Sequence, residues 1–187
     1  MENLHGYIKI YNMIETKLKD IIRDVPNFPK PGIIFKDITP ILLDPQLTRD
    51  IINQIIDQVK PLNLDAIVGI ESRGFWFGIM LANKLEIPFI PIRKKGKLPY
   101  KTVSYSYSLE YGSAEIEMHE DEIKENWNVL IHDDLLATGG TACAAAELIQ
   151  MQNGNVAGFS FVVALTFLNG SEILKKYSEN IFNLVSY

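Results

Sequence analysis

The sequence predicts an α/β fold: a doubly wound, mainly parallel sheet flanked by helices, with one inserted β-hairpin. Three observations carry that prediction. Apolar runs of strand length alternate with amphipathic segments of helix length, the pattern of parallel strands joined by crossover helices. Two alternating runs, Tyr105, Tyr107, Leu109 and Ala114, Ile116, Met118, flank Gly112 and read as a hairpin. One buried-strand pattern, Val129 to His132, runs into two carboxylates and a loop of small residues that opens a helix.

The elements follow in order. Residues 8–22 read as a helix on the near-helical spacing of Ile14, Leu18, Ile21 and Ile22. Val25 to Gly32, with Pro26, Pro29 and Pro31, is rigid and non-helical. Asp44-Pro45 can cap and begin a helix whose apolar stripe runs from Leu47 to Val59, before Pro61 ends it. Ala66 to Ile70 and Pro88 to Ile92 are short strands on either side of a helix from Gly74 to Leu85. After the hairpin come the Val129 to His132 strand, a helix from Gly140 to Met151, its Asn153-Gly154 stop, and a strand from Val156 to Leu165. Ligands of such sheets sit beyond the carboxyl ends of the strands, so function is expected just after Ile70, Ile92 and His132.

Composition narrows the function classes. The chain has 187 residues, 47% hydrophobic and 22% charged, enough for one ordinary core and for a single domain over 1–187. Its net charge of −5 (18 basic against 23 acidic residues) argues against non-specific nucleic-acid binding. A single cysteine, Cys143, excludes an intramolecular disulfide framework and disfavours a thiolate zinc site. Met1 to Ile22 lacks the unbroken apolar run of a signal peptide, and no stretch is long enough to span a bilayer. A soluble cytoplasmic domain, partnered by neither nucleic acid nor membrane, is expected.

The chemistry concentrates in Val129 to Thr141. Ala137, Thr138, Gly139, Gly140 and Thr141 let a ligand approach the backbone, and the amides, hydroxyls and helix dipole all favour an anion. Asp133 and Asp134 beside a phosphate site suit a ligand that also offers hydroxyls or a metal, and a sugar phosphate fits. A P-loop would need a Lys where Ala142 stands, and a dinucleotide fingerprint would need three spaced glycines. Gly139→Val is expected to weaken sugar-phosphate binding with the fold retained.

The run resembles the phosphoribosyl-pyrophosphate motif of type I phosphoribosyltransferases. Phe28 to Pro40, Gly69 to Phe75, Arg93 to Pro99 and Tyr107 to Gly112 are similar to further segments of the adenine-using branch of that family, in order from about Val25 to Gly170. The resemblance implies transfer of a 5-phosphoribosyl group from phosphoribosyl pyrophosphate to adenine, giving AMP and pyrophosphate. Magnesium would be held mainly by substrate, with no direct protein ligand, and the chain would form a homodimer.

The resemblance also distributes roles. Asp133 and Asp134 lie near the ribose hydroxyls, and Ala137 to Thr141 hold the 5-phosphate. Arg73, with the backbone of Glu71 and Ser72, binds pyrophosphate across a cis Glu71–Ser72 peptide; Arg93 and Lys97 reach the same charged ligand. Taken alone, Arg73 reads as a surface ion pair and the lysines as a solvated run. The position of Arg93 lies near the family's dimer interface and could serve the neighbouring subunit. Residues 1–40 form an amino-terminal helix and adenine-side hood, in which the backbone near Ile34 and Lys36 reads adenine and Phe35 stacks on it; composition alone would make Ile33 to Phe35 core. Glu110 receives adenine's proton, and residues 98–118, with Tyr105 and Tyr111, form a lid and hairpin. His132 is expected to be a strand histidine, Cys143 a packing residue, and His119 to have no partner by spacing. Ala164 stands where some relatives carry a carboxylate. Relatives using guanine, hypoxanthine, xanthine or orotate, and regulators that keep the pocket without the chemistry, are the competing readings.

Overall fold

The computed structural model describes residues 13–108 and 113–187. Two compact units divide the chain, residues 1–54 and 55–187. In the first, residues 13–21 form helix α1, the described part of the helix expected over 8–22. Strands β1 (Arg23–Pro26) and β2 (Ile34–Asp37) pair antiparallel across the proline-rich turn, where the Phe28–Pro29 bond is cis. Helix α2 (Pro45–Val59) starts as its sequence dictates: the Asp44 carboxylate accepts the Gln46 and Leu47 N–H groups at 2.9 and 3.0 Å. Leu47, Ile51, Ile52, Ile55 and Val59 are its buried stripe.

The second unit is built on a seven-stranded mixed sheet. Its strands are β3 (Ala66–Ile70), β4 (Phe89–Lys94), β5 (Thr102–Ser108), β6 (Ser113–His119), β7 (Asn128–Leu136), β8 (Asn155–Ala164) and β9 (Ile181–Ser186), in the spatial order β5-β6-β4-β3-β7-β8-β9. The five strands from β4 to β9 are parallel, and the β5–β6 hairpin adds antiparallel to β4. Helices α3 (Gly74–Leu85), α4 (Gly140–Met151) and the short α5 (Gly170–Leu174) complete it. Ala66, Val68 and Ile70 pack with Ala142, Ala145 and Ala146 of α4. Strand side chains alternate between faces, so Ile67 and Gly69 look toward α3. There the Phe89 ring fills the space over Gly69 and Gly78, where an added Cβ would come within 2.5 and 2.8 Å of it. Two layers of helix thus cover the sheet, as the alternating pattern predicts.

In the second unit three elements differ from the sequence expectation. Strand β7 does not end at His132 but runs to Leu136, because Asp133, Leu135 and Leu136 keep their pairing with Phe161, Val163 and Ala164 of β8. Asp133 and Asp134 therefore sit inside a strand rather than in the loop after it. The other two, β9 and α5, were not expected; β9 pairs with β8 across an intervening helix. The hairpin, by contrast, forms where the sequence reading expects it, with Tyr105 opposite Ile116, Tyr107 opposite Ala114 and Val103 opposite Met118. Leu109 to Gly112, including Glu110 and Tyr111, lie outside the described residues.

Candidate active site

The carboxyl ends of β3, β4 and β7 converge on one cavity of about 520 Å³, lined among others by Glu71, Ser72, Arg73, Arg93, Asp133, Asp134 and Thr141. Sequence positions more than 60 residues apart meet there because parallel strands end side by side. The Glu71–Ser72 peptide is cis, as the resemblance implies, and Glu71 N–H donates to Ile92 O at 2.9 Å, tying the loop to β4.

Parity along β7 puts His132 and Asp134 on its α3 side. Arg73, just before α3, meets Asp134 there at 3.0 Å, with Asp134 buried. Asp133 Oδ1 accepts the Asp134 N–H at 2.8 Å. Burial pushes the carboxyl of Asp133 well up, and the neighbouring Asp134 charge adds to the shift. Burial also raises Asp134, but Arg73 works against it.

The loop from Ala137 to Gly139 lies between β7 and α4, and Gly139 has the left-handed φ of 83° that favours glycine. The Thr141 hydroxyl lies 3.0 Å from the Tyr107 hydroxyl of β5, which links hairpin and loop. A side chain at Gly139 would not point into ligand space: its Cβ would lie 2.7 Å from Gly170 O and 3.0 Å from the Ile173 side chain. Gly139→Val therefore disturbs the packing of the loop on α5, and the expectation of an undisturbed fold is corrected. Sequence reasoning missed Gly170, where an added Cβ would stand 2.2 Å from Ala137 O and 3.0 Å from Gly139 N. Its signal was the Asn169-Gly170 turn pair.

Lys97 does not line the cavity but reaches it through Glu71, whose carboxylate accepts Lys97 Nζ at 3.0 Å and Arg93 Nε at 3.2 Å. Burial opposes the Glu71 charge, yet these bonds and the Lys94 N–H outweigh it and hold the carboxyl below its usual range. Glu117 of β6, an acid that sequence reasoning missed, is buried and accepts the Lys97 and Leu98 N–H groups at 2.9 and 3.0 Å, fixing the backbone of the β4–β5 connection. Tyr105 packs against the core from β5.

Ile34, Phe35 and Lys36 lie on β2 in the first unit. Asn27 N–H donates to Ile33 O at 2.7 Å, so the pair 27–33 is hydrogen-bonded. Such pairs alternate in an antiparallel ladder, so Phe35 is hydrogen-bonded to Val25 while the backbone groups of Ile34 and Lys36 face away from β1. Among the described residues β2 pairs with β1 alone. The donor–acceptor edge at these two positions thus points away from β1. The Phe35 ring meets Phe28 edge-on at 5.1 Å.

The remaining polar residues play structural parts. His132 is fully buried against Phe77, its Nδ1 3.3 Å from Ser160 Oγ, and burial lowers its pKa to about 3. The folded chain keeps this ring neutral, whereas the unfolded chain takes up a proton below about pH 6.5. Its contribution is thus intact above about pH 6.5 and lost as pH falls from there toward 3. Between about pH 7.5 and 5 the loss is about 2 kcal/mol. His132→Val should flatten that part of the acid limb in urea titrations at stepped pH; an unchanged limb would contradict the assignment. Cys143, partly buried, packs against the core, and burial raises its thiol pKa. His119 does find a partner, Glu122, at 3.0 Å.

Comparison with known proteins agrees with this geometry. The family described as phosphoribosyl transferase domain matches residues 38–182. The adenine phosphoribosyltransferase of Cytophaga hutchinsonii is 52% identical over 175 residues, covering 94% of this chain and 97% of its own. That of Ureaplasma parvum is 50% identical over 170 residues, covering 91% and 96%. The crystal structure of the Thermoanaerobacter pseudethanolicus adenine phosphoribosyltransferase superposes with a TM-score of 0.88 at 44% identity, covering 92% of this chain and 99% of that one. The Saccharomyces cerevisiae enzyme, solved with an imino-altritol bisphosphate and adenine, gives 0.84 at 38% identity, covering 92% and 99%. The chain belongs to the phosphoribosyl transferase family, in its adenine phosphoribosyltransferase group.

Proposed function

We propose that this chain transfers the 5-phosphoribosyl group of phosphoribosyl pyrophosphate to adenine, releasing AMP and pyrophosphate. The observation that carries the reading is the cavity that joins a carboxylate pair, Asp133 and Asp134, to cations and to Thr141 of the small-residue loop. In the reaction the bond from ribose C1 to pyrophosphate breaks, a bond from C1 to adenine N9 forms, and the N9 proton leaves. The ring carries positive character on the way, which nearby carboxylates stabilise. In this reading Ala137 to Thr141 take the 5-phosphate, and Arg73, Arg93 and Lys97 take pyrophosphate with the Glu71–Ser72 backbone. Glu110 accepts the proton, and residues 98–118, including Tyr105 and Tyr111, close over the site to exclude water.

Adenine is assigned to the edge of β2 that faces away from β1. A backbone N–H and C=O at Ile34 and Lys36 complement adenine's ring nitrogen and amino group, with Phe35 against the ring. A 6-oxopurine reverses that donor–acceptor order and leaves buried groups unpaired. Magnesium arrives on phosphoribosyl pyrophosphate, whose oxygens are the hard donors it prefers. Bound there, the ion neutralises developing charge on the leaving pyrophosphate. No helix among the described residues is long and apolar enough to cross a membrane. A cytoplasmic homodimer, with no nucleic-acid or membrane partner, completes the reading.

The test supplies phosphoribosyl pyrophosphate, magnesium and one base at a time, and follows pyrophosphate release. Adenine should react faster than hypoxanthine or guanine by about 1,000-fold or more. Preference for a 6-oxopurine or orotate would overturn the base assignment, and no release with any base would favour a binding protein.

A further inference from the structure

We propose that the Glu71 side chain is a positioning residue that gathers Arg93 and Lys97 into one fixed pair for pyrophosphate. The proposal rests on the function just given and adds a role to a side chain that the resemblance engages only through its backbone. Both carboxylate oxygens are committed. Oε2 accepts the Lys94 N–H at 3.0 Å and Arg93 Nε at 3.2 Å, and Oε1 accepts Lys97 Nζ at 3.0 Å. Arg93 Nη1 also donates to Lys97 O at 3.1 Å, so the three residues close a ring of contacts.

The physical need for such a residue is plain. Two cations side by side repel each other, and both side chains are long and rotamer-rich. Arg93 is one-third exposed and Lys97 half exposed, so without a common partner each would swing into water. Glu71 is only 11% exposed and sits on a loop tied to β4, so it offers them a fixed anchor. Lys97 spends one of three ammonium hydrogens on Glu71, which leaves two for a ligand's oxygens. The trio keeps one net positive charge. The ordering cost of the two cations is met in folding rather than in binding, which is how preorganisation raises affinity.

A simpler role would be a loop staple acting through the Lys94 N–H alone. Glu71→Gln separates the two, because the amide oxygen still accepts that N–H while the charge that holds Arg93 and Lys97 is gone. Calorimetry with inorganic pyrophosphate and magnesium should show affinity reduced about 10-fold or more. Ribose 5-phosphate, which uses the loop at residues 137–141, should bind within about 2-fold of wild type. In turnover, KM for phosphoribosyl pyrophosphate should rise while kcat changes less. Lys97→Met should weaken pyrophosphate in the wild-type background and cost little more in the Glu71→Gln background, since the two act as a unit. Unchanged or tighter pyrophosphate binding in Glu71→Gln, or fully additive losses in the double variant, would overturn the proposal. Should Glu71→Gln fail to fold, Glu71→Asp, which keeps the charge but shortens its reach, should also weaken pyrophosphate selectively; wild-type affinity would overturn it. Wild-type turnover with adenine reports on the underlying function separately, so the two can fail independently.

Discussion

Gly170→Ala is expected to lower affinity for AMP and ribose 5-phosphate by about 100-fold. The position has no left-handed φ, so the cost is one of space. An added methyl would stand 2.2 Å from Ala137 O and 3.0 Å from Gly139 N, and both are backbone atoms that cannot rotate away. Either α5 or the loop from Ala137 to Thr141 must move. Overpacking of this kind costs about 1–3 kcal/mol, and a phosphate site made of backbone amides loses its geometry with a shift of about 1 Å. Calorimetry with AMP and a thermal melt together check this: affinity should collapse while the midpoint falls only modestly. Near-wild-type affinity would mean that α5 yields and the loop does not.

Asp133→Asn and Asp134→Asn should both lose turnover, by about 100-fold or more, yet move stability in opposite directions. At Asp133 burial and the neighbouring carboxylate raise the folded-state pKa. A carboxyl raised in this way contributes stability below its unfolded pKa, and that contribution is lost as pH rises through the folded value. At neutral pH it is a cost, so Asp133→Asn should raise the melting midpoint; the amide oxygen still accepts the Asp134 N–H. Asp134→Asn instead removes the buried charge that Arg73 meets at 3.0 Å and should destabilise by about 1–3 kcal/mol. Both variants should still bind AMP. Turnover retained in both would make the pair structural.

How much of this was legible in the sequence depended on distance along the chain. The run from Val129 to Thr141 could be read because strand, carboxylates, loop and helix start are contiguous. The hairpin followed from its two alternating runs, although its register did not. The end of β7 was misread because Asp133 and Asp134 break the apolar pattern, although pairing with Phe161 and Val163 carries the strand on. Strand β9 was missed for a related reason: its neighbour β8 lies across an intervening helix, and nothing local announces a parallel partner. The Glu71 clasp spans 22 to 26 positions and Gly170 meets a loop about 30 residues away. Such contacts exist only once the sheet has aligned the strand ends. The outward-facing edge at Ile34 and Lys36 depended on ladder parity, which the register of β1 against β2 supplies.

The central claim is that ribosyl transfer takes place where β3, β4 and β7 end. A crystal structure with AMP bound tests it most directly. The 5-phosphate should lie within hydrogen-bond distance of the amides of residues 138–141, and the ribose hydroxyls on Asp133 and Asp134. The adenine edge should be paired with the backbone of Ile34 and Lys36. AMP seated instead in the smaller cavity of about 270 Å³ near Thr166 and Lys175, with the loop at Gly139 untouched, would contradict the account.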